Sequence, residues 1–209
     1  MPGAGKTLLW LVDVGALSGA ALDGYAGWLG ESERERCARF VRPERRRQFV
    51  AGRVLLRHAL GRLLDVAPRD IALRERSGNA PALDMPAPPG LGFSISHSGP
   101  WVACAASSMS RLGLDIERAD EGRDVLALAE QAFGPTAVSQ LRALEGKDRV
   151  RAFYRMWCLH EAHIKLGVPS SADHVYEAPG LAVCLSAAQP LEAAPDLVVA
   201  GPGALDILS

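Results

Sequence analysis

Between Leu91 and Glu117 the chain carries three short runs that read as strands, and this pattern limits the fold more than any other feature. The first, Leu91 to Ser98, holds F-S-I-S-H-S, a period-2 alternation that sets Phe93 and Ile95 on one face and Ser94 and Ser96 on the other. Gly99-Pro100 ends it, Trp101 to Ala106 is an apolar second run, and Leu112 to Glu117 is a third after the turn at Ser107 to Ser110. The spacing predicts an antiparallel meander. Helical patterns flank it: Glu31 to Val41 and Glu44 to Leu64 before, split by Pro43, and Val125 to Phe133, Thr136 to Leu144 and Lys147 to Leu166 after. Leu8 to Val14 reads as an early strand, and Leu17 to Gly30 as a turn and short helix. Further strands are expected near Ile71 to Arg74, Leu181 to Leu185 and Leu197 to Val199. Strand-rich portions on both sides of the later helices give an α+β fold with two lobes.

The 209 residues suffice for two small lobes, and a hydrophobic content of 48% supplies a core. A formal net charge of −1 argues against a general nucleic-acid binder. Charge is nevertheless uneven, because Arg34 to Arg57 carries nine arginines. Such a cluster either holds phosphates, meets an acidic partner, or is a solvated helix face. Cys37, Cys104, Cys158 and Cys184 lie far apart, which disfavours a disulfide framework or a structural zinc site. No apolar run reaches membrane-spanning length and no signal-peptide core is visible, so the expectation is a cytoplasmic protein away from the membrane. Residues 1–7 end in G-K-T, but the earlier glycine and strand of a P-loop have no room.

Two stretches carry chemistry. In L-G-L-D-I-E (112–117) a strand places Asp115 and Glu117 on one face, about 7 Å apart along the chain. Such a pair either faces solvent or is compensated by a hard cation such as Mg²⁺. In W-C-L-H-E-A-H-I-K (157–165), Trp157, Glu161 and Lys165 recur every four residues and share a helix face. Taken alone, Glu161 and Lys165 also suit an ordinary surface ion pair. His160 and His163 are three apart rather than four, which does not match the zinc-protease spacing.

Together with R-C-A-R-F (36–40), A-G-R-V-L-L-R (51–57) and F-S-I-S-H-S (93–98), these stretches resemble the two-lobed, Sfp-type 4′-phosphopantetheinyl transferases, in the family's order, over roughly residues 30 to 168. The resemblance implies a pseudo-symmetric fold in which each lobe is an antiparallel sheet packed against helices. The N-terminal lobe, 1–110, would bind coenzyme A and carrier. The C-terminal lobe, 111–209, would carry the metal site and the catalytic helix, and is expected to be shortened. The implied reaction is Mg²⁺-dependent transfer of the phosphopantetheine arm of coenzyme A to a serine of an acyl or peptidyl carrier protein, releasing 3′,5′-ADP. Its metal ligands would fall on Asp115, Glu117 and Glu161, with Glu161 and Lys165 catalytic. Arg36, Ser96, His97 and Lys165 would contact the coenzyme. Two substitutions stand out. His160 replaces the lysine of the usual W-x-x-K-E, and Ala80 replaces the lysine of a G-K-P segment, leaving Arg74 or Arg76 to serve; we assign Arg76 to the coenzyme. With both lobes in one chain, a monomer is expected. The alternatives are a non-catalytic coenzyme A or carrier-binding protein that kept the fold, and a different Mg²⁺-dependent phosphoryl-transfer or hydrolysis enzyme.

Overall fold

A computed structural model of the chain describes residues 5–178 and 180–200. In order they form β1 (Thr7–Asp13), α1 (Gly19–Ala26), α2 (Glu31–Ala38), α3 (Pro43–Leu64), and the short strands β2 (Leu73–Arg74) and β3 (Ala82–Leu83). Next come β4 (Gly92–Ser98), β5 (Trp101–Ser107), β6 (Leu112–Arg118), α4 (Val125–Ala132), α5 (Pro135–Arg142) and α6 (Gly146–Leu166). The chain then forms β7 (Ala172–Ala178), β8 (Leu181–Ala187) and β9 (Leu197–Ala200). No described helix is long and apolar enough to cross a membrane.

The main strands build two sheets, in the orders β4-β5-β1-β9 and β6-β8-β7. The expected three-strand meander is therefore broken after its second strand. A strand has two edges, and β5 spends one on β4 and the other on β1, in register from Thr7 opposite Ser107 to Asp13 opposite Trp101. Nothing is left for β6, which pairs with β8 instead. Every pairing is antiparallel except that of β9, which runs parallel to β1 and returns the end of the described chain to the first sheet. The strand β7, A-D-H-V-Y-E-A, is one the sequence reading did not anticipate, because its polar residues hide the alternation visible in its burial.

Side-chain alternation sorts the strands into layers. On β1, Trp10 and Val12 join the core under α1–α3, while Leu9 and Leu11 face the second sheet. On β8, Leu181, Val183 and Leu185 meet that same inter-sheet core, while Ala182 and Cys184 face α4–α6. The result is four layers, helices outside and two sheets inside. It explains why β1 and β5 read as continuous apolar runs: both their faces are covered.

The central helix α3 begins with Pro43 in its first turn, where a missing N–H costs nothing, and ends on Asp65 in the left-handed region at φ 56°. Two of its arginines lie on the buried face. Arg57 is 2% exposed and pairs bidentately with the fully buried Glu33 of α2. Arg53 is paired with Glu75 at 2.6 Å. Burial pushes the Glu75 carboxyl up, but Arg53 and Arg36 outweigh it and hold the group below its ordinary range. The arginine cluster is thus divided, with part of it fastening α2 to α3.

Candidate active site

The side chains of interest gather where the two sheets meet. Along β4, Ser94, Ser96 and Ser98 project toward β6, and their hydroxyls accept the N–H groups of Leu114, Ile116 and Arg118 at 3.0, 3.3 and 3.0 Å. Strand β6 is thereby docked by side chains where a neighbouring strand would otherwise sit.

On β6, Asp115 is 4% exposed and Glu117 half-buried. The ammonium of Lys165 donates to Asp115 Oδ1 at 2.6 Å and to Ser96 Oγ at 2.9 Å. Ser96 in turn donates to Asp115 Oδ1 at 2.9 Å, and Ser98 to Glu117 Oε2 at 3.1 Å. Burial first, and then the negative charge of Asp115, raise the Glu117 carboxyl; Glu161 adds to the rise. Glu117 therefore senses the helical acid Glu161.

Helix α6 comes this close because of Gly113. A Cβ there would lie 2.0 Å from the carbonyl oxygen of Ala162 and 2.6 Å from the amide nitrogen of Leu166. Only a residue without a side chain lets the helix backbone rest on the strand, and this contact brings Lys165 to Asp115 and Glu161 toward Glu117. The sequence reading quoted Gly113 without assigning it a role.

Among the described residues, no group of three His, Cys, Asp or Glu stands in a metal-holding arrangement. The residues present do fit a hard cation. Asp115 Oδ2 is buried and accepts no hydrogen bond, and beside it lies a second carboxylate whose charge is poorly compensated. Unpaired carboxylate oxygens are the donors that Mg²⁺ prefers.

A cavity of about 470 Å³ reaches Lys165. Arg36, Arg45, Gln48, Ser94, His97, Ile164 and Lys165 line it, and so does the loop from Gly78 to Pro81. Arg45 reaches both ring nitrogens of His97, at 3.1 and 2.8 Å. Burial, reinforced by the Arg45 charge, lowers the His97 ring from 6.5 to about 4, so it is neutral near pH 7. Arg45 is the cation in contact with His97, a residue that sequence reasoning placed only within a cluster. Arg36 donates to Glu75 and lines both this cavity and a neighbouring one of about 470 Å³. Arg76 lines the neighbouring cavity and donates to the carbonyl of Ala80. His160 is exposed, its ring edge-on to Phe133 with centroids 5.7 Å apart.

Comparison with known proteins identifies the family. The family profile described as "4'-phosphopantetheinyl transferase, N-terminal" matches residues 20–109, and that of the "4'-phosphopantetheinyl transferase superfamily" matches residues 111–175. The chain is 33% identical over 177 residues to the 4'-phosphopantetheinyl transferase HetI of Nostoc sp., covering 83% of this chain and 73% of that protein. It is 32% identical to a 4'-phosphopantetheinyl transferase of Bacillus subtilis, over 71% of this chain and 64% of the relative. It is 31% identical to the 4'-phosphopantetheinyl transferase Sfp of Bacillus subtilis strain 168, over 68% and 61%. The last two are thus spanned over a little less than two thirds of their length. Two consecutive profiles and this identity over most of the chain place it in the 4′-phosphopantetheinyl transferase family.

Proposed function

We propose that this chain transfers the 4′-phosphopantetheine arm of coenzyme A to a serine hydroxyl of an acyl or peptidyl carrier protein, releasing 3′,5′-ADP, with Mg²⁺ as the metal. The observation that carries the reading is the junction itself. A cavity walled by Arg36, Arg45 and His97 reaches Lys165, and the Lys165 ammonium bonds Asp115, whose second carboxylate oxygen has no partner.

Residues 1–110 supply the wall that takes the 3′-phosphate end of the coenzyme, and 111–209 supply the reacting groups. Arg36 and Arg45 provide charge-assisted donors to phosphate. His97, held neutral, donates a single N–H, Ser96 holds Lys165 and Asp115 from the opposite face of β4, and Arg76 lies beside the Gly78 to Pro81 loop. Asp115, Glu117 and Glu161 would hold Mg²⁺, which when bound polarises the pyrophosphate and offsets its charge. Lys165 holds a cation where charge grows on the transferring and leaving oxygens. The carrier hydroxyl forms the new O–P bond and the pyrophosphate P–O bond breaks. The serine proton goes to Glu161, directly or through water.

Incubation with coenzyme A, Mg²⁺ and an apo carrier tests the proposal by mass spectrometry. A carrier heavier by one phosphopantetheine, together with free 3′,5′-ADP, is the expected result. Binding of coenzyme A with no change in carrier mass would overturn it, as would cleavage of the coenzyme without transfer.

A further inference from the structure

Three serines alternate along β4 and all three engage β6, but they do not do the same work. Each hydroxyl accepts one backbone N–H of β6, from Leu114, Ile116 and Arg118 in turn. A serine hydroxyl has one proton left to give. Ser96 gives its proton to Asp115 Oδ1 and Ser98 gives its own to Glu117 Oε2. Ser94 lies one step earlier, at Gly113, where β6 carries no carboxylate. The seam therefore has three backbone bonds and only two carboxylate bonds.

We propose that Ser98 is a positioning residue that fixes the Glu117 carboxylate toward the cation site, in addition to docking β6, whereas Ser94 docks the strand and touches no carboxylate. This rests on the reading of Asp115 and Glu117 as metal ligands. The physical reason is rotational freedom. Glu117 has three side-chain torsions and is only half-buried, so packing alone leaves its carboxylate several orientations. A hydroxyl that is itself anchored on the Arg118 N–H removes that freedom at one oxygen and leaves the other for a cation. Ser96 does the same for Asp115 but also holds Lys165, so its removal mixes two effects. Ser98 gives the cleaner experiment and Ser94 the internal control.

Partners that orient metal ligands cost about 10- to 100-fold in metal affinity when removed. In the full-length protein without coenzyme A, so that the cavity wall at Ser94 plays no part, Mn²⁺ binding followed by electron paramagnetic resonance should weaken about 10-fold in Ser98→Ala. Ser94→Ala should bind Mn²⁺ as wild type does, while both variants melt earlier because each loses a seam bond. Ser98→Thr keeps the hydroxyl and should restore the affinity. Equal Mn²⁺ affinity in wild type and Ser98→Ala, or equal weakening in Ser98→Ala and Ser94→Ala, overturns the positioning role while leaving the transferase reading in place. A wild-type protein that takes up no Mn²⁺ overturns both the positioning role and the metal assignment.

Discussion

Gly113→Ala should do more damage than its single methyl suggests. The added Cβ would sit 2.0 Å from the Ala162 carbonyl oxygen, 2.6 Å from the Leu166 nitrogen and 2.9 Å from the Leu166 Cβ. Two of these are backbone atoms, which cannot swing aside. Helix α6 must retreat by about 1.4 Å, the gap between 2.0 Å and the 3.4 Å where ordinary contact begins. Overpacking of this kind costs about 1–3 kcal/mol. For a chain of 209 residues that lowers the melting temperature by about 2–12 °C. The retreat also draws Glu161 and Lys165 away from Asp115 and Glu117, and misplacement by an ångström is worth about 100-fold in rate. Calorimetry and the carrier-transfer assay measure the two effects separately. Gly24→Ala is the matched control. It lies exposed within α1 with nothing within 4 Å of the new methyl, so the better helix former should stabilise by up to about 1 kcal/mol. A Gly113→Ala protein that melts and transfers like wild type would refute the reasoning.

Other outcomes follow from the same geometry. Arg57→Met leaves the buried Glu33 carboxylate without its bidentate partner and should cost about 3–5 kcal/mol in denaturant unfolding, while the double replacement Glu33→Met, Arg57→Met should recover most of it. His97 is lowered to about 4, so the folded state binds fewer protons than the unfolded chain between that value and 6.5. Its contribution to stability is therefore full above pH 6.5 and lost as pH falls toward 4; His97→Asn should flatten the stability curve in that window and nowhere else. Because Arg45 carries the charge at that wall, Arg45→Ala should weaken coenzyme A relative to dephospho-coenzyme A more than His97→Asn does at pH 8, by titration calorimetry. His160 packs on Phe133, so His160→Ala and His160→Lys should give transfer–pH profiles that superimpose on wild type; divergent profiles would place the ring at the pyrophosphate.

The helices, most strands and the carboxylate motifs were legible in the sequence because each is a local property. Pro43 opens α3 where its missing N–H is harmless, and the Gly-free, Pro-free stretch from Arg149 to Leu166 runs as helix to the left-handed Gly167. Period-2 alternation put Asp115 and Glu117 on one side of β6, and the four-residue spacing put Glu161 and Lys165 on one side of α6. What the sequence could not decide is which edge of each strand is taken. Pairing depends on competition among distant segments, and β1, whose Asp13 pairs with Trp101 and Thr7 with Ser107 far along the chain, took the edge of β5 that β6 was expected to fill. From that one exchange follow the second sheet, the serine seam between β4 and β6, and the backbone approach at Gly113. The arginines show the same division. Their number is plain in the sequence, but whether one is buried against Glu33, like Arg57, or faces a cavity, like Arg45, depends on acids and walls brought from elsewhere by the fold. Local periodicity sets the direction of a side chain; only tertiary packing supplies what it meets.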